Sequence, residues 1–452
     1  MTSTTTPSAT DSNGARLLPA REWRNWGRSE SAHPAFLARP TSADEVAAVV
    51  RAARERGLTV KVVGAGHSFT AIAATEGVLI DLGGLDGLLA VDVERGRVTL
   101  GAGTNLYQLP ALLDPHGLAL QNMGDIDRQT IAGATSTGTH GTGARFGGLA
   151  TQITGVVLVT ADGSLLRVDE QNSPELLPAV RLGLGALGVL VEVTIQCVPS
   201  FLLHAVEHPE PFGEVLDSFE ERATASDHFE FYWWPHTEAV MTKSNTRLPG
   251  DAERHPIGPV SGWIEDRLLS NGALSLMCNI GRIAPKATPG INRLATKVYG
   301  DREFTDRSYD VFTSPRTTRF REMEYAVPIA AVPQALRDVR GLIEREGWTI
   351  SFPVEVRVAA RDDNWLSTAQ GRESGYIAVH RFFREDHLPY FRAVEGIMRQ
   401  YEGRPHWGKV HFQDAESLAA VYPHHGDFVA VRDRLDPDRT FTNPYLDRVL
   451  GA

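Results

Sequence analysis

In the first half of the chain, some segments have apolar residues at the spacing of an α-helix, and others have them at the spacing of a β-strand. Residues 42–56 have apolar side chains at helical spacing, with Thr41 or Ser42 as N-cap and Gly57 beyond the last turn, which predicts a helix. Short apolar runs bounded by Gly or Asp-Gly predict strands over residues 59–63, 77–81, 97–101, 154–160, 164–168 and 188–196. This combination of a helix and short strands predicts an α+β domain that ends near residue 199.

After residue 200 the pattern changes to longer strands and amphipathic helices, which predicts a second α+β domain. Residues 352–358 alternate, so Glu355 and Arg357 lie on one face of a strand and three valines on the other. A solvated ion pair is the ordinary explanation for two such side chains. The alternating aromatic run at 229–235 is more typical of a packed sheet, and we leave it out of the site.

Residues 405–412 form a further candidate strand. If this segment is extended, Trp407, Lys409 and His411 share one face, and Lys409 becomes a cation available to a ligand. His380 lies in another strand-like run, where it is either a base or a histidine satisfied by a neighbour.

Length and charge exclude several classes of function. A chain of 452 residues exceeds the usual size of a single core, and 45 Lys+Arg against 56 Asp+Glu give a net charge of −11. This charge argues against a nucleic-acid partner and against attraction to anionic membranes. The most apolar stretch, residues 182–195, is too short to span a bilayer and contains Glu192, so no membrane insertion is expected.

The cysteines and the N-terminus indicate no special compartment. Cys197 and Cys278 lie in apolar, strand-like surroundings and are expected to be buried thiols rather than a disulfide or a metal pair. The first twenty residues are rich in Thr and Ser and lack the apolar core of a signal peptide, which predicts a disordered tail, residues 1–20, and a cytoplasmic protein.

A glycine turn at residues 62–70, VVGAGHSFT, carries the most informative chemistry. A strand runs into Gly64, Ala65 and Gly66, which allow the backbone to approach a ligand, and the turn then presents His67 and Ser68. The third glycine of a dinucleotide fingerprint is absent, so a nicotinamide site is disfavoured.

A second segment, residues 125–143, reads DIDRQTIAGATSTGTHGTG. A loop this rich in Gly, Ser and Thr is entropically costly without a ligand. The residues that we expect to contact a cofactor here, together with one at the start of a later strand, are Gly133, Ala134, Thr139, Gly141, Thr142 and Val189.

Together with RPHWGKVH at 404–411, EVR at 355–357 and FTNPYL at 441–446, these segments resemble the sugar-1,4-lactone oxidases and dehydrogenases and the related alditol oxidases. Those enzymes are FAD-dependent and have the vanillyl-alcohol oxidase fold. The resemblance implies an FAD-binding domain over 21–199, a cap domain over 200–403, and a C-terminal segment, 404–452, that returns to the first domain.

The resemblance also implies roles for individual residues. His67 corresponds to the histidine that is joined covalently to the flavin in some members. Glu355, Arg357, Lys409 and His380 correspond to active-site residues, with Lys409 and Arg357 stabilising alkoxide character and Glu355 or His380 accepting the hydroxyl proton.

The expected reaction is oxidation of L-gulono-, L-galactono- or D-arabinono-1,4-lactone by hydride transfer to flavin N5, with electrons passed to O2 or to another acceptor such as a dye or cytochrome. In the resembled family a small side chain near the flavin decides access by oxygen, and Gly133 and Ala134 are the local candidates, which favours an oxidase. The alternatives are an alditol oxidase acting on xylitol or sorbitol, a catalytically silent flavin-binding module, and an NADPH-fed reductase.

Overall fold

The computed structural model describes residues 15–258, 272–298, 300–314 and 318–452. The tail predicted for residues 1–20 falls largely on 1–14, which lie outside the described residues. For residues 15–20 the prediction is wrong, because Ala15 and Leu17 are buried and Leu18–Pro19 pairs with a strand of the first sheet.

The described elements alternate strands and helices along the chain. The strands are β1 (Leu18–Pro19), β2 (Trp23–Arg24), β3 (Ser31–Ala32), β4 (Phe36–Ala38), β5 (Val60–Val63), β6 (Val78–Asp81), β7 (Leu88–Asp92), β8 (Arg97–Gly101), β9 (Leu118–Ala119), β10 (Ile153–Val159), β11 (Leu165–Asp169), β12 (Val189–Gln196), β13 (Val198–Pro199), β14 (Phe201–Pro211), β15 (His228–Trp233), β16 (Ala239–Pro249), β17 (Arg302–Arg307), β18 (Phe320–Pro328), β19 (Val354–Ala359), β20 (Ser374–Phe382) and β21 (Arg404–Pro405).

The α-helices are α1 (Ala43–Glu55), α2 (Leu109–Leu113), α3 (Ile131–Ser136), α4 (Leu177–Val180), α5 (Phe212–Asp217), α6 (Phe219–Ala225), α7 (Leu274–Ile283), α8 (Thr288–Val298), α9 (Ser308–Phe312), α10 (Val332–Glu346), α11 (Leu388–Gln400), α12 (Ala415–Ala419), α13 (His425–Leu435) and α14 (Pro444–Leu450). The predicted α+β class is confirmed. The six strands predicted in the first half are confirmed to within one residue at each end.

Residues next to the first helix determine where it begins and ends. The Ser42 hydroxyl accepts a hydrogen bond from the Glu45 amide at 3.2 Å and caps α1, while Gly57 has φ +65° and ends the turn after it. The buried face of α1 carries its valines and alanines into the core of the first half of the chain.

Two larger sheets, with the two-stranded sheets β2-β3 and β9-β13 beside them in the chain, form the described part of that first half. One has the order β1-β4-β6-β5, with β6 parallel to both neighbours, and the other has the antiparallel order β11-β10-β12-β8-β7. The C-terminal helices pack on the same core, where Phe441 and Tyr445 are buried. The Asn443 side-chain amide fixes this return by donating to the carbonyls of Ala71, Ile72 and Ala74 at 2.9–3.1 Å.

The second half of the described chain is built on one eight-stranded antiparallel sheet with the order β17-β14-β16-β15-β19-β20-β18-β21. One face of its central strands is apolar and packs on α10 and α11, with Val354, Val356 and Val358 all fully buried. Each half has a core of its own, but Phe201, Leu203, Ala205, Phe304 and Phe312 of the second half pack in the first core. The domain boundaries at 199/200 and 403/404 stay predictions.

The cysteines are buried free thiols, as expected, although Cys278 lies in helix α7 and not in a strand. Among the residues that the structure describes, no helix combines the length and apolar character needed to cross a membrane.

Candidate active site

Two cavities meet between the glycine turn and the large sheet. The larger measures about 550 Å³ and the smaller about 100 Å³. Four residues line both of them, namely His67, Ser68, Gln129 and Thr137. An elongated ligand with one end in each cavity would therefore run along the glycine turn.

The glycine turn after β5 lines this path as the sequence predicts. Gly64, Ala65 and Gly66 line the smaller cavity, and Gly66 has φ +69°, which a residue with a side chain rarely adopts. A Cβ at Gly64 would collide with the Thr130 hydroxyl. The turn is held by backbone hydrogen bonds from Trp26 to Gly66 at 2.8 Å and from Phe69 to Gly408 at 2.7 Å.

His67 stands where the two cavities meet. Its ring stacks on Trp26, with the ring centroids 5.4 Å apart. Burial lowers the pKa of His67 to about 4, and the charges of Lys409 and Arg128 act in the same direction. The imidazole is therefore neutral near pH 7 and keeps a free nitrogen lone pair.

The second glycine segment lines both cavities, but through fewer of the predicted cofactor residues than expected. Thr139 lines the larger cavity and Gly133 the smaller one. Ala134, Gly141, Thr142 and Val189 line neither cavity, which corrects those four assignments.

These four residues have structural roles instead. Ala134 and Val189 are fully buried in the first core. A Cβ at Gly141 would overlap the Met123 carbonyl oxygen, so glycine is required there by a close backbone approach. The Thr142 hydroxyl donates to the Phe229 carbonyl and accepts from the Val358 amide, joining the loop to the large sheet.

The other wall of the larger cavity is the polar face of the large sheet. Antiparallel register aligns Tyr232 with Glu355, Glu355 with Ala378, and Ala378 with Glu324 across four neighbouring strands. Paired residues point to the same face, so the row presents two carboxylates and a phenol to the cavity. The prediction that Glu355 and Arg357 share one face, opposite three valines, is confirmed.

Arg357 lies at the centre of a buried ion cluster. Its guanidinium contacts the Glu355 carboxylate, donates to Glu230 at 3.0 Å and lies 3.5 Å from Asp125. The Tyr232 hydroxyl donates to Glu355 at 2.9 Å. Burial raises the pKa of Glu355, although Arg357 opposes the rise. Only 7% of Arg357 is exposed, so this is not the solvated pair that the sequence alone would suggest.

Lys409 reaches the same cavity by a turn and not by a strand. The chain leaves β21 after Pro405 and turns, with the Lys409 amide donating to the His406 carbonyl at 3.0 Å. The prediction that Trp407, Lys409 and His411 share a face is wrong. Trp407 is buried in the first core, and His411 contacts the Tyr445 hydroxyl at 2.9 Å.

The ammonium of Lys409 is hydrogen-bonded to Glu322, whose carboxylate also lies 3.6 Å from His380 Nε2. Burial opposes ionisation of Glu322, but the positive charge of Lys409 holds its pKa below the ordinary value. The Pro353 carbonyl lies 3.1 Å from His380 Nδ1, and a carbonyl can only accept, so Nδ1 carries the proton and Nε2 is free to accept one.

A third polar cluster, formed by His140 and Glu324, lies beside the clusters of Arg357 and Lys409. His140 Nδ1 lies 2.8 Å from the Gly141 carbonyl and therefore carries a proton, while Nε2 lies 3.2 Å from Glu324. Burial opposes ionisation of Glu324, but His140 beside it holds the pKa of this carboxylate well below its ordinary value. His140, Glu324 and His406 are close enough to chelate an ion. However, His406 Nδ1 accepts the Gly408 amide proton at 3.0 Å, so neutral His406 is protonated on Nε2 and is unsuited to metal binding through that atom.

Sequence reasoning missed Tyr232, Glu230, Glu322, Glu324 and His140 as cavity or cluster residues. The alternation at 322–325, Glu-Met-Glu-Tyr, was available as a signal, since Met323 and Tyr325 are fully buried on the opposite face. Without the fold, however, nothing indicates that this strand lies near the EVR strand.

Comparison with known proteins identifies the family. The family described as "D-arabinono-1,4-lactone oxidase" matches residues 193–449, and the family described as "FAD binding domain" matches residues 34–169. The chain belongs to the D-arabinono-1,4-lactone oxidase family. An L-gulono-1,4-lactone dehydrogenase of Mycobacterium tuberculosis is 44% identical to this chain, over 95% of this chain and 99% of the relative.

The L-gulonolactone oxidase of Bos taurus is 35% identical, over 95% of this chain and 98% of the relative. Among solved structures, cholesterol oxidase from Brevibacterium sterolicum superposes with a TM-score of 0.82 over 98% of this chain and 100% of that chain, at 20% identity. The last match concerns the fold alone and, together with the match to the FAD-binding family, it confirms the predicted fold class. This family member is an FAD-dependent oxidoreductase.

The two cavities suit FAD. The smaller is lined by the backbone of Gly64, Gly66, Gly133, Gly185 and Gly188, which leaves room for a pyrophosphate. Among the described residues that line it, Lys61 is the only lysine, arginine or carboxylate. The larger cavity has the volume and the polar wall that a flavin ring and a small polar substrate need.

Proposed function

We propose that this protein oxidises a secondary alcohol of a sugar-1,4-lactone, of the L-gulono-, L-galactono- or D-arabinono-1,4-lactone type. The observation that carries the proposal is a pair of buried cations, Arg357 and Lys409, on one wall of the larger cavity. Each cation contacts carboxylates, and the larger cavity meets the smaller one, whose glycine-rich lining suits the pyrophosphate of FAD. The relatives that span almost the whole chain are named for lactones.

FAD, when bound, supplies the acceptor for the hydride. Arg357 and Lys409 orient the substrate oxygens and stabilise the negative charge that develops on the reacting hydroxyl. Both remain charged because burial, which disfavours the cations, is outweighed by the carboxylates beside them, so the pKa of each group is raised. Cations in a cavity wall that excludes water interact more strongly with a developing negative charge than cations in bulk water do.

His380 is the proposed acceptor of the hydroxyl proton. Its Nε2 lone pair faces the cavity beside Glu322, and the carboxylate stabilises the imidazolium that forms. Glu355 is the other candidate named by the sequence. It already accepts hydrogen bonds from Tyr232 and Arg357, so we assign it to orienting Arg357.

We also propose that His67 is joined covalently to the flavin. The proposal is supported by the position of the imidazole where the two cavities meet and by its low pKa, which keeps the ring nitrogen unprotonated and nucleophilic. The cytoplasmic location expected from the sequence stays a proposal as well, for which two buried free cysteines are the only support.

The electron acceptor is the least constrained part of the function. Relatives are named both dehydrogenase and oxidase. The preference for an oxidase rested on Gly133 and Ala134, but neither lines the larger cavity, whereas Thr139 does. We therefore propose that reduced enzyme reacts slowly with O2 and passes electrons to a dye or a cytochrome-like acceptor.

Anaerobic reduction of the flavin, measured with L-gulono-, L-galactono- and D-arabinono-1,4-lactone, xylitol and sorbitol, tests the proposal. Rapid bleaching by at least one lactone and slow bleaching by the polyols is expected. Faster reduction by a polyol would identify an alditol oxidase, and the absence of reduction by all five would favour a silent flavin-binding module. Bleaching by NADPH would instead indicate a reductase.

A further inference from the structure

Lys61 is a buried lysine on β5, the strand that runs into the glycine turn. Only 2% of the residue is exposed. Its ammonium donates to the Phe441 carbonyl at 3.0 Å and to the Gly185 carbonyl at 3.3 Å. An ammonium has three protons, so these two carbonyls leave a third donor for a ligand.

The ammonium of Lys61 has no carboxylate within salt-bridge distance in the described part of the chain. Asp436 and Asp447 act on it from farther away, and both carboxylates already accept other hydrogen bonds, from two backbone amides and from the Thr442 hydroxyl respectively. Burial lowers the pKa of Lys61 to about 7, and the two carboxylates oppose the fall. Because a buried cation without a contacting counter-ion is costly, a bound anion would stabilise the charged form.

The smaller cavity, which Lys61 lines, offers a place for such an anion. Its wall includes the backbone of the glycine turn and of Gly185, the residue whose carbonyl accepts from Lys61. Among the described residues that line this cavity, His67 is the only other titratable group, and its pKa of about 4 leaves it neutral near pH 7. The lining therefore carries one cation and no negative charge.

We propose that the Lys61 ammonium binds the diphosphate of FAD. Backbone N–H groups at the glycine turn suit phosphate oxygens, and an ammonium adds a charge-assisted hydrogen bond, which is stronger than one between neutral groups. The diphosphate in turn supplies the counter-ion that Lys61 needs. Because the same ammonium donates to the Phe441 carbonyl, it also joins the cofactor to the C-terminal segment.

FAD binding should therefore take up a proton above neutral pH. In the free protein Lys61 loses its proton near pH 7, and a diphosphate dianion beside the ammonium raises the pKa. Below about pH 7 the lysine is charged with and without the ligand, so the affinity is constant. Above about pH 7 the Kd should rise by up to about tenfold for each pH unit, until the pH reaches the pKa of the complex.

Titration of the FAD-free His67→Ala protein measures this dependence, because the flavin cannot be joined to the chain through residue 67 in that variant. The Kd for FAD, read from flavin fluorescence, should rise between about pH 7 and about pH 9. ADP-ribose, which has the same kind of diphosphate diester without a flavin, should behave alike when it competes with FAD. Adenosine, which has no phosphate, should bind equally well across this range.

Lys61→Met in the same background should weaken binding of FAD and ADP-ribose at about pH 6 by about tenfold to a hundredfold, because it removes a hydrogen bond to a charged group. It should also abolish the pH dependence and leave adenosine binding unchanged. Lys286→Met, at an exposed position, is the matched control and should bind all three ligands normally.

Phosphorus NMR of the flavin-loaded enzyme with His67 intact is the second measurement. Lys61→Met should move the resonances of the bound diphosphate, whereas Lys286→Met should not. If Lys61 only ties the C-terminal segment to the first core, Lys61→Met would lower the free energy of unfolding without moving these resonances. That result overturns the proposal, as does a Kd for FAD that stays constant between about pH 7 and about pH 9. Equal losses of ADP-ribose and adenosine binding in Lys61→Met would overturn it as well.

Discussion

Lys409, on the turn after β21, and Glu322, on β18, form a hydrogen-bonded ion pair in the wall of the larger cavity. Burial alone would lower the pKa of the Lys409 ammonium, but Glu322 and Glu324 reverse the effect, and its pKa is raised. Glu322 is therefore the group that keeps a cation available to the substrate. It acts through Lys409 and is a positioning residue.

Glu322→Gln should lower the pKa of Lys409, because burial then acts without the opposing carboxylate. The rate of anaerobic flavin reduction should begin to fall at a lower pH in this variant than in the unaltered enzyme, while FAD content stays the same. The measurement is stopped-flow reduction across neutral to alkaline pH.

Glu416→Gln, at an exposed position, is the control and should leave the profile in place. An unshifted alkaline limb in Glu322→Gln would show that Lys409 does not depend on this carboxylate.

His67→Ala should release the flavin from the chain. In the unaltered enzyme, acid precipitation should leave the yellow colour in the pellet, since a covalent bond survives unfolding. In His67→Ala the flavin should appear in the supernatant, or should be missing from the purified protein. Ser68→Ala, which alters the next residue of the same turn, should keep its flavin in the pellet. Free flavin from the unaltered enzyme would rule out the covalent bond without affecting the assignment of FAD.

Arg357→Ala, Lys409→Ala and Glu355→Gln should each retain FAD, because none of the three residues lines the smaller cavity. Substrate reduction should slow by about tenfold to a thousandfold if each group supplies about 1.4 to 4 kcal/mol of transition-state stabilisation. Arg399→Ala removes an exposed arginine and should have no effect. Normal reduction in all three variants would remove this wall from the mechanism.

The sequence predicts those features whose cause is local. The glycine turn at 64–66, the cap at Ser42 and the alternation around Glu355 all depend on residues adjacent in the chain, and the structure shows each where the sequence puts it. The expectation that Lys409 reaches the cavity is confirmed, but the residue reaches it through a turn and not along a strand. Gly408 belongs to a turn that sends Trp407 into one core and Lys409 into the cavity.

Features that depend on strand order could not be predicted. Glu322 lies opposite His380, and Tyr232 opposite Glu355, only because β15, β19, β20 and β18 are neighbours in one sheet. No local pattern specifies that order. Small residues were over-assigned to the cofactor for a related reason, because a glycine needed for backbone packing, such as Gly141, has the same sequence signature as one needed by a ligand.

His411 should contribute to acid instability. Burial lowers its pKa to about 3, with Arg448 and His406 adding to the effect, whereas an exposed histidine titrates near 6.5. Between these values the unfolded chain binds a proton that the folded chain does not, so stability falls as the pH drops below about 6.5. At about pH 5 the loss from this residue alone is about 2 kcal/mol.

His411→Gln should therefore show a smaller loss of unfolding free energy between about pH 7 and about pH 5 than the unaltered protein, by about 2 kcal/mol. Urea unfolding of the FAD-loaded protein at the two pH values measures it. His33→Gln, at an exposed position, should change nothing. Equal losses in all three proteins would contradict a neutral buried His411.

Thr139 should restrict the reaction with oxygen. Its side chain lines the larger cavity and is hydrogen-bonded to Gln129, which lies where the two cavities meet, so it occupies space beside the path of the flavin. Substrate-reduced enzyme mixed with air-saturated buffer should regain its flavin absorbance slowly, while a dye restores it at once. Thr139→Gly should speed reoxidation by oxygen without altering reduction by the lactone.

Ala134→Gly is the matched control, because Ala134 is fully buried in the first core and its methyl group lies away from the cavity. Fast reoxidation of the unaltered enzyme would identify an oxidase, and equal reoxidation in Thr139→Gly would show that this side chain does not control access.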